Sequence, residues 1–255
     1  MEMIRKFGKD YWKTLLFFAL TGLVGGFMVG IYLMDSYPAQ MQQQLLDQGL
    51  NDITLGLVTA VQSAGYGLVL GAAGIFLGKK VGVWKDETTI TKKPLVIALI
   101  VGVIGGAVMI LSDILFFGHY SEAIMASYAS KPTLAYLAGT VTYGAVIEEV
   151  MLRLFLMSLI AFVLRKLFWR KQETTPAAAL IAANIVSALL FAAGHLPATF
   201  ILLGSSPLII FRCFLLNGGL GLMFGRLYRK HGLRYAMIAH GICHIVSKLI
   251  WILFI

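Results

Sequence analysis

Seven long apolar runs leave this chain little choice of solvent. They lie near residues 15–34, 53–78, 94–117, 133–164, 177–203, 208–227 and 235–255, and aliphatic and aromatic side chains dominate each. A helix rises about 1.5 Å per residue, so about 20 such residues cross the hydrocarbon layer of a bilayer. One protein core cannot hide them all. Hydrophobic residues make up 59% of the 255 and charged residues only 13%, whereas a soluble domain is about half apolar and a quarter charged. Mean hydropathy is +0.84. Backbone amides in lipid must be satisfied within the segment, which favours helices. The expected fold is therefore all-α, a polytopic bundle of about seven transmembrane helices. Pro197 in "GHLPA" marks a seam inside the fifth run, because proline cannot donate a helix hydrogen bond; a break there would raise the count to eight.

The net charge of +9 does not point to nucleic acid, because Lys and Arg in membrane proteins gather on the cytoplasmic side. Arg5, Lys6, Lys9 and Lys13 precede the first run. Lys79, Lys80, Lys85, Lys92 and Lys93 follow the second. Arg165, Lys166, Arg170 and Lys171 follow the fourth, and Arg226, Arg229, Lys230 and Arg234 the sixth. With seven spans all of these fall on one face, which leaves only Lys131 opposite and Arg153, Arg212 and Lys248 within spans. The N-terminus is expected in the cytoplasm and the C-terminus outside. The basic start "MEMIRKFGKDYWK" leads into a run long enough to span and lacks an A-x-A-like cleavage site, so it reads as an uncleaved first helix.

Cys213 and Cys243 lie in apolar runs and read as small core residues. Glycine-rich stretches such as "GLVGG" and "VGVIGG" suit close helix packing. The polar segment "PAQMQQQLLDQGLND", within residues 35–52, reads equally as a surface helix or a loop. Residues 1–132 would supply three helices, and 133–255 a core carrying the polar motifs, within one membrane domain.

That core contains "AVIEEVMLRLFLM", residues 145–157. A charge at bilayer depth costs about 2.5–3.5 kcal/mol on insertion scales, so each one needs a reason. Glu149 and Arg153 are four apart and share a helix face, so they read as a structural ion pair. Glu148 points about 100° away, with no basic residue of its own helix in easy reach, and is the carboxylate left for chemistry. Five histidines narrow the reading. His119 and His231 fall in expected loops. His195, His240 and His244 lie in or at the ends of runs, the last two four apart on one face. Two chemistries fit. Glu148 acts as general base on water while histidines donate to an oxyanion. Alternatively, Glu148, His195, His240 and His244 hold zinc, although the glutamate of an H-E-x-x-H motif is missing between His240 and His244.

Three motifs occur in order on separate runs. They are E-E-x-x-x-R at Glu148, Glu149 and Arg153, F-x-x-x-H at Phe191 and His195, and the histidine of H-x-x-x-(N or D) at His240. Together they resemble the CPBP intramembrane protease family, which includes type II CAAX prenyl endopeptidases and bacterial proteins linked to bacteriocin processing and immunity. The resemblance covers residues 133 to the C-terminus. It implies a metal-free, glutamate-dependent endopeptidase, with zinc as the alternative. Glu148 would activate water, while His195 and His240 would orient it and stabilise the oxyanion. Glu149, Arg153 and Phe191 would support them. The expected partners are membrane lipid and a membrane-tethered peptide or protein, prenylated or bearing a leader, and the expected location is a bacterial plasma membrane. The pattern departs at its last position, where His244 stands in place of Asn or Asp. His244 is counted with the catalytic residues, since a neutral imidazole serves the oxyanion when its tautomer is right; the alternatives are a shift of the site toward metal, or a second reading, a non-catalytic immunity or scaffold protein of the same fold. Seven simple spans also place His195 and His240 about 20 Å apart in depth, too far for one site.

Overall fold

The computed structural model describes residues 2–86 and 89–255, with side chains described from Asp10 onward. Arg5, Lys6 and Lys9 of the basic arm therefore lie outside the described side chains. Among the described residues every regular element is helical. In chain order these are α1 (Glu2–Ser36), α2 (Ala39–Asp47), α3 (Asp52–Val81), α4 (Lys92–Tyr120), α5 (Glu122–Ala126), α6 (134–168), α7 (Ala177–Leu203), α8 (Pro207–His231) and α9 (Leu233–Phe254).

Six of these are long and apolar enough to cross a membrane: α1 from Asp10, α3, α4, α7, α8 and α9. Of the seven expected spans, α6 is the one outside that group. It runs unbroken from 134 to 168, but Glu148, Glu149 and Arg153 interrupt its apolar centre. The seam at Pro197 does not form. α7 continues through it to Leu203, so no eighth helix arises. Proline is tolerated in membrane helices because neighbouring groups take up the freed backbone partners. The segment after α1 forms a helix, α2. α3 then starts on Asn51, whose side chain accepts from the Thr54 amide at 2.9 Å while the Thr54 hydroxyl accepts from the Asn51 amide at 2.7 Å, a reciprocal cap. His119 and His231 close α4 and α8 instead of lying in loops.

Small residues set the spacing, as membrane helices require. A Cβ at Gly22 of α1 would lie 2.6 Å from the Ser63 carbonyl of α3. One at Gly102 of α4 would lie 2.6 Å from the Ala239 carbonyl of α9. Ile75, Val150, Leu154, Phe224, Tyr228 and Ala239 fill the centre. The outer surface is apolar, with Val61 and Leu115 each 69% exposed, so these side chains face the lipid side. Both cysteines are buried and free.

Several helices widen locally to i→i+5 hydrogen bonding. The longest such stretches are Thr140–Glu148 and Val150–Met157 in α6, and Phe214–Gly218 does the same in α8. Widened turns of this kind are rare and recur at functional sites.

Candidate active site

The polar centre of α6 is split by environment. Glu149 is fully buried and Arg153 is 1% exposed. Glu149 Oε1 lies 3.2 Å from the Arg153 guanidinium, so the pair expected from their spacing is present. The guanidinium also lies over the Phe191 ring at 4.4 Å and the Phe224 ring at 5.7 Å. These rings replace water around a desolvated cation. Gly221 of α8 makes room, since a Cβ there would be 3.1 Å from the guanidinium. Glu148 points elsewhere, and its side chain keeps 20% of its exposure.

His240 joins the two carboxylates. Its Nδ1 is 2.9 Å from Glu149 Oε1, and its Nε2 is 3.9 Å from Glu148 Oε2. A buried carboxylate accepts, so Nδ1 carries the proton of that bond. Glu149 is thus more than a counter-ion, because it also sets the tautomer and tilt of His240. The imidazole is clamped between Phe224, at 4.7 Å and 21° between ring planes, and His244, at 4.8 Å and 27°.

His195 also packs against Phe191. The two rings meet edge to face at 4.6 Å, and Phe191 faces His240 at 6.1 Å. The depth gap of about 20 Å therefore does not arise. It assumed that all helices begin in one plane. Lateral contacts set the register instead. Ser187 donates to the Leu152 carbonyl at 2.7 Å, and Cys213 donates to the Ala192 carbonyl at 3.3 Å. Gly232 alone links α8 to α9, at φ 108°, a backbone angle suited to glycine. His195 Nδ1 lies 2.8 Å from the Phe191 carbonyl, so it too carries a proton.

Glu148, Glu149, Arg153, Phe191, His195, His240 and His244 therefore occupy one neighbourhood on α6, α7 and α9. They do not form a ligand shell for zinc. The His240 and His244 rings stack instead of converging on a point. Among the described residues, no three His, Cys, Asp or Glu side chains come together as metal ligands.

Three participants escaped the sequence reading. Phe224 is one. Gly144 is another, since a Cβ there would meet His244 Nε2 at 2.9 Å and His240 Nε2 at 3.9 Å. It stands four residues before Glu148, so both Nε2 atoms look onto the same stretch of α6. Lys248 is the third, 7% exposed and 3.3 Å from His244 Nδ1. In the sequence it reads only as a base within a span. A cavity of about 640 Å³ opens one turn beyond His244, lined by Lys248, Tyr136, Trp251 and Arg212. Glu148 and the three histidines do not line it. Arg212 is held there by both oxygens of Asp113, and Tyr128 donates to that carboxylate at 2.6 Å. Burial and the Asp113 charge push the Tyr128 phenol up.

Comparison with curated proteins and with solved structures gives no match. The family model "Type II CAAX prenyl endopeptidase Rce1-like" matches residues 130–246. The match opens just before α6, ends within α9, and contains both carboxylates, the arginine and all three site histidines. The match encloses every charged and histidine side chain of the site except Lys248, and over residues 130–246 this helical membrane protein is similar to the Rce1-like type II CAAX prenyl endopeptidases.

Proposed function

We propose that the protein is an intramembrane endopeptidase in which Glu148 activates water to cut a membrane-tethered peptide, in a bacterial plasma membrane with the N-terminus in the cytoplasm. The observation that carries this is the division between the carboxylates. Glu149 is dry and spent on Arg153 and His240, whereas Glu148 is one-fifth exposed and faces His240 Nε2 at 3.9 Å. That gap is too long for a direct hydrogen bond, which leaves both atoms available to water.

The chemistry is general-base hydrolysis. Glu148 takes a proton from water as the oxygen attacks the scissile carbonyl carbon. The carbonyl oxygen becomes an oxyanion. As the C–N bond breaks, Glu148 returns the proton to the leaving nitrogen, giving an acid and an amine. His195 and His240 have their Nδ1 protons committed to the Phe191 carbonyl and to Glu149. As neutral rings both keep a lone pair on Nε2, which suits them to orient the water.

The test is cleavage of a fluorogenic farnesylated peptide with a CAAX end by the purified protein in liposomes. Glu148→Gln is expected to lower kcat by about 10²–10⁴ with an unchanged unfolding midpoint. Equal cleavage by that variant removes Glu148 from the mechanism. A cellular phenotype that survives both Glu148→Gln and His195→Ala would assign the protein to the immunity or scaffold reading.

A further inference from the structure

We infer that Lys248 is a positioning residue that fixes the tautomer of His244, so that His244 Nε2–H supplies the oxyanion donor an Asn amide would otherwise give. The inference rests on the endopeptidase reading above for its catalytic purpose, and on geometry for the tautomer.

Each histidine of the site has its Nδ1 bound by a different kind of partner. For His195 it is the Phe191 carbonyl, and for His240 it is the Glu149 carboxylate. Both partners only accept, so both rings carry hydrogen on Nδ1 and a lone pair on Nε2. For His244 the partner is the Lys248 ammonium at 3.3 Å, which only donates. His244 Nδ1 must then be the acceptor. A charged imidazole has no acceptor nitrogen, so the ring is neutral with its hydrogen on Nε2. Of the three rings, His244 alone presents an N–H from Nε2. That nitrogen is aimed at the gap left by Gly144, beside His240 Nε2. The site thus holds two lone pairs for water and one donor for an oxyanion.

Lys248 has little other reason to be where it is. It is 7% exposed, and among the described residues no carboxylate lies within ion-pair distance of it. Its other neighbour is the Tyr136 ring, 4.8 Å from Nζ to centroid, which supports a cation without taking its protons. An intramembrane lysine without a counter-ion is costly, and such residues mark function. A merely structural Lys would be served better by a carboxylate than by an imidazole.

The test combines a spectroscopic and a kinetic arm. Histidine ¹⁵N shifts, with His244 assigned by its loss in His244→Asn, report which nitrogen carries hydrogen. The parent protein in bicelles is expected to show Nε2–H at His244, and Lys248→Met a mixture of tautomers. Lys248→Arg, which retains only donors, is expected to restore Nε2–H. On the farnesylated peptide, Lys248→Met should lower kcat roughly 10–100-fold at constant KM, somewhat less than deleting an oxyanion donor outright. In the His244→Asn background the same change should cost several-fold less, since an amide needs no tautomer set. An Nδ1–H His244 in the parent, an unaltered tautomer in Lys248→Met, or equal kcat losses in both backgrounds overturns the inference. If the parent shows Nε2–H but cuts no peptide, the endopeptidase reading fails and the tautomer assignment stands.

Discussion

Replacing Glu149 by Gln isolates the charge that holds the centre of α6 together. The amide oxygen still accepts from His240 Nδ1, so that 2.9 Å contact survives. What is lost is the counter-ion of Arg153, a guanidinium 1% exposed. Removing one member of a buried pair costs about 3–5 kcal/mol. The Phe191 and Phe224 rings at 4.4 and 5.7 Å remain and cap the loss, since a desolvated cation–π contact contributes up to about 2 kcal/mol. The expected change is thus about 3–5 kcal/mol, or about 10²–10⁴ in the folding equilibrium. Glu148→Gln, at a site one-fifth exposed and 3.9 Å from its nearest imidazole, should cost below about 1 kcal/mol. Adding Arg153→Met to Glu149→Gln should recover most of the loss, because a buried apolar side chain needs no counter-ion. Equilibrium unfolding in bicelles, titrated with SDS, measures all three. The reasoning is refuted if Glu149→Gln loses no more than Glu148→Gln, or if adding Arg153→Met deepens the loss.

Four further outcomes follow. Gly144→Ala should cut peptide cleavage more than tenfold with little loss of stability, because the new methyl meets His244 Nε2 at 2.9 Å; Gly65→Ala, with nothing within 4 Å, is the matched control in the same cleavage and melting assays. Asp113→Asn leaves Arg212 without its carboxylate and should cost about 3 kcal/mol, read as a lower thermal midpoint in detergent. Phe224→Ala removes the ring under His240 and should destabilise by about 3–5 kcal/mol, measured by the same unfolding titration. Reporter fusions at the two termini should emerge on opposite sides of the membrane; reporters on the same side would show that α6 does not cross.

Run length and hydropathy made the helices legible, with six starts or stops of α3, α7 and α9 falling within a few residues of their expected places. Apolar length is a local property, so it survives without tertiary knowledge. The same logic found Glu149 with Arg153, four residues apart on one helix. What stayed hidden was non-local. His240 meets Glu149 across 91 residues of chain, and no spacing rule joins them. The depth of His195 failed because helix ends were aligned, while contacts such as Ser187 to Leu152 set the true register. Gly144 was one glycine among 27, distinguished only by what stands opposite it. Lys248 lies four residues past His244 on α9, a spacing visible in the sequence; its donor role needed the 3.3 Å contact. The wide turns of α6 carry no sequence period to reveal them.

Those wide turns have a cost in robustness. Thr140–Glu148 and Val150–Met157 hold one residue more per ring than the tighter coil on either side. Deleting a single residue between Thr140 and Ile147, with the winding otherwise unchanged, would swing everything downstream by about 100°. Glu149 and Arg153 would leave together, still facing one another but no longer facing Phe191, Phe224 or His240. The length of this helix is therefore as much a constraint on the chemistry as the identity of its acids.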